Sequence, residues 1–239
     1  MNERTRRGFL SSAAAGVAVT AGCLGSSSDS DGGSTGGGDS TDTQTVMQRG
    51  SSDVTFDHPS ATGINDQPTL GDRGWQGVIV AFEDPSCPTC RRFNQNTFSQ
   101  IRSELVAPGN VAYVFRGYPV VYPWGGPASH ALEAAFDRDP AAMWALKDHY
   151  FDEQGQFDTD NVLDRTATFL NDETEVDGDA VVAAVESDAT TDAVQTDLDA
   201  GEAAGASGTP TFYLFRDGEY QTTVSGAQDF TVFENVLTG

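Results

Sequence analysis

The sequence predicts an α/β fold interrupted by a block of helices, and three features of its pattern lead to that prediction. Two short runs rich in β-branched and aromatic residues, 77–82 and 111–115, flank a segment whose apolar residues recur at helical spacing. A long stretch of helical pattern follows, over about residues 119–204. A further apolar run at residues 211–215 then begins a hairpin that is followed by a last helix. This alternation of strands and helices is typical of a sheet with helices packed against it.

The first three predicted elements are a central strand, a helix and a second strand. Residues 77–82, Gly-Val-Ile-Val-Ala-Phe, form a continuous apolar run, as expected of a strand that is buried on both faces. The helix is indicated by four apolar residues near helical spacing, which are Phe93, Phe98, Ile101 and Leu105. Pro108 and Gly109 end it before the strand at residues 111–115.

The helical block divides into five predicted helices. They cover residues 129–138, 141–151, 160–170, 180–186 and 191–204. Asp160 and Asp179 are suitable N-caps, and Gly155 and Gly205 are suitable helix ends.

The chain returns to strand after the helical block. Residues 211–215 form the third core strand, and Asp217 with Gly218 predicts a tight turn into a hairpin strand at residues 220–224. A helix at residues 230–237 completes the predicted domain.

The charge of the chain narrows the range of functions. Its 239 residues include 13 Lys and Arg against 36 Asp and Glu, a formal net charge of -23, and Lys147 is the only lysine. Nucleic-acid binding is excluded, because that affinity depends on Lys and Arg that neutralise phosphates. With 38% hydrophobic residues, the chain is also too apolar to be disordered throughout.

An acidic, lysine-poor surface is typical of a protein that works in concentrated salt. At 1 M salt the Debye length is about 3 Å, so that repulsion between exposed carboxylates is screened. We therefore expect a halophilic, archaeal source. An ordinary acidic secreted protein is the alternative, although it would usually keep more lysine.

Residues 1–22 are predicted to be an export signal. A basic start with Arg6 and Arg7 is followed by a small, mildly apolar stretch that is too short to span a bilayer. Residues 5–10, Thr-Arg-Arg-Gly-Phe-Leu, resemble the twin-arginine motif, which directs the export of proteins that are already folded.

Cys23 is the predicted site of lipid attachment. Residues 20–23, Thr-Ala-Gly-Cys, resemble a lipobox, in which the cysteine becomes the lipidated first residue of the mature protein. Residues 23–45 form the predicted tether, since every residue over 25–42 is Gly, Ser, Thr or Asp. We expect the folded domain, residues 46–239, to lie outside the cell and to be held at the membrane by this lipid.

The chemistry of the chain is concentrated in Cys87-Pro88-Thr89-Cys90, between the first strand and its helix. Pro88 suits the first position of a helix, which makes Cys87 the N-cap. The free N–H groups and the positive end of the helix dipole then favour a thiolate at Cys87. Cys90 lies one turn further on the same face, close enough for a disulfide. Cys87 is therefore the predicted nucleophile and Cys90 the predicted resolving cysteine.

Two separated motifs make this domain resemble a DsbA-like thiol-disulfide oxidoreductase of the thioredoxin superfamily. The first is the strand, Cys-X-X-Cys and helix described above. The second is Gly-Ala-Ser-Gly-Thr-Pro-Thr-Phe at residues 205–212, which resembles the Gly-Thr-Pro-Thr segment that enters the third strand in that family. The helical block at 119–204 also lies where such proteins carry a helical insertion. The resemblance covers about residues 70–237 and implies a thioredoxin-like fold.

The resemblance also implies roles for individual residues. Pro210 would be a cis-proline next to the disulfide, and Thr209, Pro88 and Thr89 would contact a bound polypeptide. The Cys87–Cys90 disulfide would be the only redox group, without a further cofactor. The substrates would be thiols of exported proteins or peptides, and a separate membrane or extracellular partner would restore the disulfide.

One position departs from the family pattern. Many relatives have a buried acid six residues before the first cysteine, where this chain has Ala81. Strand alternation places Glu83 on the same face, closer to the cysteines. We hypothesise that Glu83 partly substitutes for that acid, and a solvated carboxylate at the end of the strand is the alternative.

Three other functions compete with protein-thiol oxidation. The same fold could work as a reductase or isomerase, since the Pro-Thr pair between the cysteines does not fix the redox potential. Two thiolates also suit Cu(I), so a copper-carrying protein of this fold is a further alternative. Zinc is disfavoured because it needs about four ligands, and the three histidines of the chain lack ligand spacing.

Overall fold

The computed structural model describes residues 52–239, all within one structural unit. The predicted export signal, Cys23 and the tether lie outside the described residues. The described strands are β1 (Thr69–Leu70), β2 (Gly77–Glu83), β3 (Val111–Gly117), β4 (Thr211–Arg216) and β5 (Glu219–Ser225). The α-helices are α1 (Pro88–Phe93), α2 (Gly125–Arg138), α3 (Pro140–Asp152), α4 (Val162–Glu173), α5 (Gly178–Glu186), α6 (Thr191–Ala204) and α7 (Phe230–Thr238). Within residues 52–239, no helix is long and apolar enough to cross a membrane.

The strands form one five-stranded sheet in the order β1-β3-β2-β4-β5. Strands β2 and β3 are parallel, and the other neighbouring pairs are antiparallel. Helices α2 to α6 lie in the chain between β3 and β4, which confirms the predicted helical insertion between the second and third core strands. The central strand β2 is buried along its whole length, and its carboxyl end leads into the cysteine motif.

Alternate residues of β2 and β3 face two different hydrophobic clusters. Ile79 and Ala81 belong to the larger cluster, together with residues of α3 and α7. Val78, Val80 and Phe82 belong to the smaller cluster on the opposite face, which includes residues of α6. The sheet therefore separates a face covered by α1, α3 and α7 from a face covered by α6.

The helical segment after β2 is less regular than its apolar spacing predicts. It continues beyond α1 as two π-helical stretches, Asn94–Phe98 and Ile101–Val106. These wider turns still bury Phe98, Ile101 and Leu105, the residues that indicated the helix.

Three predicted helix limits are wrong. Asp177, rather than Asp179, caps α5, since its side chain accepts from Ala180 N–H. Helix α4 has Asn161 at its N-cap, so Asp160 lies one residue before that position. Helix α3 ends at Asp152, ahead of the predicted stop at Gly155.

The predicted ends on either side of β4 are confirmed. Gly205 ends α6 in the left-handed conformation with φ 80°, where glycine is not strained. Asp217 and Gly218 have φ values of 53° and 83°, as a tight hairpin turn between β4 and β5 requires. The sequence pattern did not predict β1, which contains only two residues.

Candidate active site

The cysteine motif lies where β2 passes into α1. Cys87 is the N-cap of α1 with extended backbone, and Pro88 takes the first helical position, as the sequence predicts. Both cysteines are free thiols, and they are buried, with 4% of Cys87 and 0% of Cys90 exposed. Pro88 is exposed and Thr89 half-buried beside them. The outer sulfur therefore lies just below the surface, and the inner one is enclosed.

The two thiols have opposite acidities. A hydrogen bond from the Cys90 thiol is the largest cause that lowers the pKa of Cys87, which falls from 9.0 to about 5. Contacts with the side chain of Thr209 and with the N–H groups of Cys90 and Thr89 lower it further. Burial raises the pKa of Cys90 well above 9.0, and the charge of Glu83 adds to this effect. At neutral pH, Cys87 is a thiolate and Cys90 keeps its proton.

The loop before β4 brings the second motif against Cys87. The Thr209–Pro210 peptide bond is cis. The Cys87 thiol donates to the carbonyl oxygen of Thr209 at 3.2 Å. The Thr209 hydroxyl is buried and has no hydrogen-bond partner among the described residues. It can therefore donate to the Cys87 sulfur once that sulfur is ionised.

Glu83 ends β2 on the face of Ala81 and is fully buried, so it is not a solvated carboxylate. Its Oε1 accepts from the Tyr113 hydroxyl at 2.6 Å and lies 3.3 Å from Lys147 Nζ. Its Oε2 has no hydrogen-bond partner among the described residues. Burial raises the pKa of Glu83, and Lys147 and Tyr113 oppose that increase.

Lys147 comes from α3 of the insertion and lies in an aromatic enclosure. Its side chain is 0% exposed. Its Nζ is 4.2 Å from the ring centroid of Phe98 and 4.9 Å from that of Phe151. Phe151 also packs with the two cysteines. The insertion thus supplies the positive charge nearest to Glu83, and cation–π contacts compensate part of its desolvation.

A second buried carboxylate, Asp84, organises the loop that follows β3. Its Oδ2 accepts from the N–H groups of Val120 and Val121 at 2.9 and 2.8 Å. Its Oδ1 accepts from both the backbone N–H and the hydroxyl of Ser86. The Ser86 hydroxyl in turn accepts from Tyr122 N–H at 3.0 Å. Asp84 and Ser86 therefore join the cysteine loop to residues 120–122.

Gln154 fixes the cysteine loop from the insertion. Its side-chain Nε2 donates to the carbonyl oxygens of Pro85 and Cys87 at 2.8 and 3.0 Å. Both hydrogens of the amide are used in this way. The loop that holds Cys87 is thus fixed by contacts to two segments beyond the motif itself.

Sequence reasoning did not identify Lys147, Tyr113, Asp84 or Gln154 as parts of this site. Lys147 carried one signal, because it is the only lysine and lies among apolar residues of a predicted helix. Asp84 is adjacent to the cysteine motif, but nothing local shows which N–H groups it accepts from. Within residues 52–239, no group of His, Cys, Asp and Glu is arranged to hold a metal ion.

Comparisons with known proteins agree with this architecture. A family model described as thioredoxin matches residues 64–228. Disulfide bond formation protein D of Bacillus subtilis is 25% identical over 166 residues, which cover 68% of this chain and 72% of that protein.

Two solved structures show the same fold. The crystal structure of oxidised BdbD from Bacillus subtilis has a TM-score of 0.66 at 21% identity, and the match covers 79% of this chain and 100% of that one. The structure of alpha-DsbA1 from Wolbachia pipientis has a TM-score of 0.59 at 20% identity, covering 71% and 87% of the two chains. Because the family match includes the cysteine motif, the insertion and the cis-proline loop, the chain belongs to the thioredoxin family, with a DsbA-like fold.

Proposed function

We propose that this protein is a thiol-disulfide oxidoreductase that oxidises the thiols of exported polypeptides through a Cys87–Cys90 disulfide. The observation that carries the proposal is the unequal acidity of the two cysteines at the start of α1. Cys87 has its pKa lowered to about 5, and Cys90 has its pKa raised well above 9.0. Such a pair provides one reactive sulfur near the surface and one protected sulfur that completes the exchange.

The reaction begins with the oxidised protein. A substrate thiolate attacks the Cys87 sulfur, so that a mixed disulfide forms and Cys90 leaves as the thiolate, which takes up a proton. A second substrate thiolate then attacks the substrate sulfur of the mixed disulfide, and Cys87 leaves as a thiolate. The substrate loses two electrons, which the protein takes up as the Cys87 thiolate and the Cys90 thiol. Of the two protons that the substrate thiols lose, one goes to Cys90 and the other to solvent.

The acidity of Cys87 supports the oxidising direction. A thiolate that is stable at neutral pH is a good leaving group, and it favours the reduced protein over the disulfide. The name of the Bacillus subtilis relative, disulfide bond formation protein D, supports the same direction. A reductase or isomerase of the same fold is the alternative, and the redox potential distinguishes the two.

Glu83 is proposed to manage the proton of Cys90. Its charge raises the pKa of Cys90, so that the leaving sulfur is protonated again after the first exchange. Lys147 and Tyr113 position its carboxylate, as described above. Pro210, Thr209, Pro88 and Thr89 are proposed to contact the substrate around the reacting sulfur.

The location is proposed from the N-terminal sequence. The twin-arginine-like motif and the lipobox-like Cys23 support export and attachment to the outer face of the cell membrane by lipid. The net charge of -23 supports work in concentrated salt. An unidentified membrane or extracellular partner would return the dithiol to the disulfide.

The equilibrium with glutathione tests the proposed direction. We expect a potential well above the value of about -270 mV that is typical of thioredoxin, toward the value of about -120 mV of a strong oxidant. A potential near -270 mV would show that the protein is a reductase. A spectroscopic Cu(I) titration of the reduced protein separates the carrier alternative, since tight stoichiometric binding without dithiol turnover would contradict the proposal.

Thiolate titration tests the unequal acidity directly. We expect the ultraviolet absorbance of the thiolate to rise with a midpoint near pH 5, where Cys87 ionises. Replacing Cys87→Ser should remove this transition, and Cys90→Ser should keep a thiolate while trapping mixed disulfides. A wild-type midpoint near the ordinary value of 9.0 would overturn the assignment of Cys87 as the activated sulfur.

The same titration has a consequence for stability. Because the pKa of Cys87 is lower in the folded protein than its ordinary value of 9.0, the reduced protein gains stability as pH rises from about 5 to 9. It loses that contribution as pH falls through about 5. The oxidised protein has no thiolate at Cys87, so the stability difference between the two redox forms should shrink in acid.

A further inference from the structure

Asp84 is a buried carboxylate without a cationic partner. Its side chain and backbone are 0% exposed, and no ion pair among residues 52–239 includes it. Four hydrogen-bond donors surround the carboxylate instead, namely the N–H groups of Ser86, Val120 and Val121 and the hydroxyl of Ser86. Taking a carboxylate out of water is costly, and these donors compensate that cost without neutralising the charge. Asp84 therefore differs from Glu83, which lies beside it and pairs with Lys147.

The backbone of Asp84 contacts both cysteines. Its carbonyl oxygen accepts from Cys87 N–H at 2.9 Å. Its N–H donates to the sulfur of Cys90: burial raises the pKa of Cys90 most, and this hydrogen bond opposes the increase. Pro85 follows directly in the chain and disfavours helical backbone at Asp84. One residue thus holds the outer cysteine by its carbonyl group and the inner sulfur by its N–H group.

The side chain of Asp84 anchors this backbone to the rest of the fold. Its Oδ2 accepts from the N–H groups of Val120 and Val121 at 2.9 and 2.8 Å, in the loop after β3. Gly125, the first residue of α2, lies so close that an added Cβ would overlap Asp84 Oδ1. The N-terminal end of a helix also favours a negative charge. Because the carboxylate is fixed at these points, the N–H that faces Cys90 cannot rotate away.

The inner sulfur needs such a donor at one step of the exchange. When a substrate thiolate attacks the Cys87 sulfur, the bond to Cys90 breaks and negative charge develops on the Cys90 sulfur. Cys90 is 0% exposed, so water does not solvate that charge, and the charge of Glu83 opposes it. A preorganised N–H directed at an atom where charge develops stabilises the transition state effectively in such a site.

We propose that Asp84 is a positioning residue for the first exchange step, in which its carboxylate aligns its own backbone N–H with the departing Cys90 sulfur. This inference rests on the proposed oxidoreductase function. The substrate sulfur forms a bond to the Cys87 sulfur, and the electron pair of the broken Cys87–Cys90 bond stays on Cys90 until that sulfur takes up a proton. Asp84 gives up no proton in this step and acts only by its hydrogen bond.

The direction of a mutational effect separates this role from an effect of charge. Asp84→Asn removes a negative charge close to Cys90, which by itself would ease the departure of an anionic sulfur and speed up the exchange. The amide also has one acceptor oxygen instead of two, and its NH₂ group would face N–H donors that now bind the carboxylate. Loss of this anchor releases the aligned peptide, so the proposal predicts a slower exchange.

The test compares two reactions of the full-length protein. The first is reduction of the oxidised protein by excess dithiothreitol, in which Cys90 departs. The second is alkylation of Cys87 in the reduced protein at a pH well above 5, where Cys87 is ionised and no bond to Cys90 breaks. We expect Asp84→Asn to slow reduction about tenfold and alkylation less than about twofold, a smaller effect than outright loss of an oxyanion-hole donor.

A milder variant and a matched control accompany this measurement. Ser86→Ala keeps the charge of Asp84 but removes the hydroxyl that donates to Oδ1 and accepts from Tyr122 N–H. We expect it to slow reduction about threefold relative to alkylation, as loss of part of the anchor would. Asp197→Asn is the control, because it also removes a buried carboxylate but lies in α6. Its ratio of the two rates should equal that of wild type.

Three results would overturn the inference. Faster reduction in Asp84→Asn would indicate an effect of charge alone. Equal slowing of reduction and alkylation would show a general loosening of the cysteine loop, and unchanged rates in both variants would show that the anchor does not matter. If Asp84→Asn does not fold, the ratio of rates in Ser86→Ala decides. A wild-type disulfide that dithiothreitol does not reduce would instead contradict the proposed function itself.

Discussion

Two buried ion pairs lie at the carboxyl ends of β2 and β3, on opposite faces of the sheet, and they are built differently. Glu83 pairs with Lys147 beneath the cysteines, and Asp197 pairs with Arg116 on the face of α6. The two strand ends are neighbours, because Glu83 lies opposite Gly117 in the parallel register. All four side chains are buried, with exposures of 0 to 1%.

The Asp197 pair has partners for both carboxylate oxygens. Oδ1 accepts from Arg116 Nε at 2.8 Å, and Oδ2 accepts from Gly117 N–H at 2.8 Å. Arg116 also donates to the carbonyl oxygen of Ser60 at 2.7 Å. Glu83 has its partners on Oε1 alone, and its ion pair is longer, at 3.3 Å. The pair remote from the cysteines is thus the more completely satisfied one.

We expect this difference to distinguish a structural ion pair, Asp197–Arg116, from one that takes part in the thiol chemistry, Glu83–Lys147. A group that must respond to charge changes at Cys90 cannot be held as strongly by its other partners. We therefore expect variants of the two carboxylates to affect different measurements.

The largest expected effect is on stability and belongs to Asp197. Asp197→Asn removes the carboxylate that pairs with the buried guanidinium of Arg116, which should cost about 3–5 kcal/mol in the free energy of unfolding. Denaturant unfolding measures it. Asp148→Asn is the control, because that residue pairs with Arg102 at 3.1 Å while 37% exposed, and it should cost less than about 1 kcal/mol. Similar losses of stability in Asp197→Asn and Asp148→Asn would contradict the structural role assigned to the Asp197–Arg116 ion pair.

The next effect concerns Glu83. Glu83→Gln keeps an acceptor for Tyr113 but removes the charge from the longer of the two ion pairs, so we expect a loss of about 1–3 kcal/mol in the free energy of unfolding. The more informative change is in the thiols. Because the charge of Glu83 raises the pKa of Cys90, its removal should lower that pKa and shift the pH dependence of thiol exchange. An unchanged pH profile would show that Glu83 does not replace the acid missing at Ala81, and Asp197→Asn should leave the profile as in wild type.

The smallest expected effect is on the pKa of Cys87, and it depends on Thr209 rather than on Glu83 or Asp197. Thr209→Val removes the hydroxyl that stabilises the Cys87 thiolate but keeps the carbonyl, so the pKa of Cys87 should rise from about 5. With a hydrogen bond worth about 1 kcal/mol, alkylation of Cys87 at pH 5 should slow about threefold. Thr209→Ser restores a hydroxyl and should recover the rate. If the ionisation midpoint of Cys87 moved in Glu83→Gln but not in Thr209→Val, Glu83 rather than Thr209 would be the residue that controls the pKa of Cys87.

The parts of the site that follow from local sequence were predictable. Cys87 at the N-cap, Pro88 at the first helical position and the hairpin turn at Asp217 all depend on residues close in the chain. The face of Glu83 also followed from strand alternation. Its burial did not, because this depends on α3 covering the end of β2 from far along the sequence.

The remaining parts depend on contacts across the fold. A lysine in a helix is usually solvated, so nothing local placed Lys147 beneath Cys90. The hydrogen bonds of Asp84 to residues 120–122 require β2 and β3 to be neighbours before they can form. The two-residue strand β1 is too short for an alternating pattern and owes its existence to pairing with β3.

The isolation of Lys147 has a practical consequence for chemical labelling. It carries the only side-chain amine of the chain, and that amine is fully enclosed. An amine-acylating reagent can reach it only when α3 moves away from the sheet, since the intact fold shields it. The rate at which Lys147 is acylated, measured by the mass of the peptide that contains it, therefore reports how often the core beneath the cysteines opens. A change of that rate on oxidation would show that opening of the insertion depends on the redox state of the cysteines.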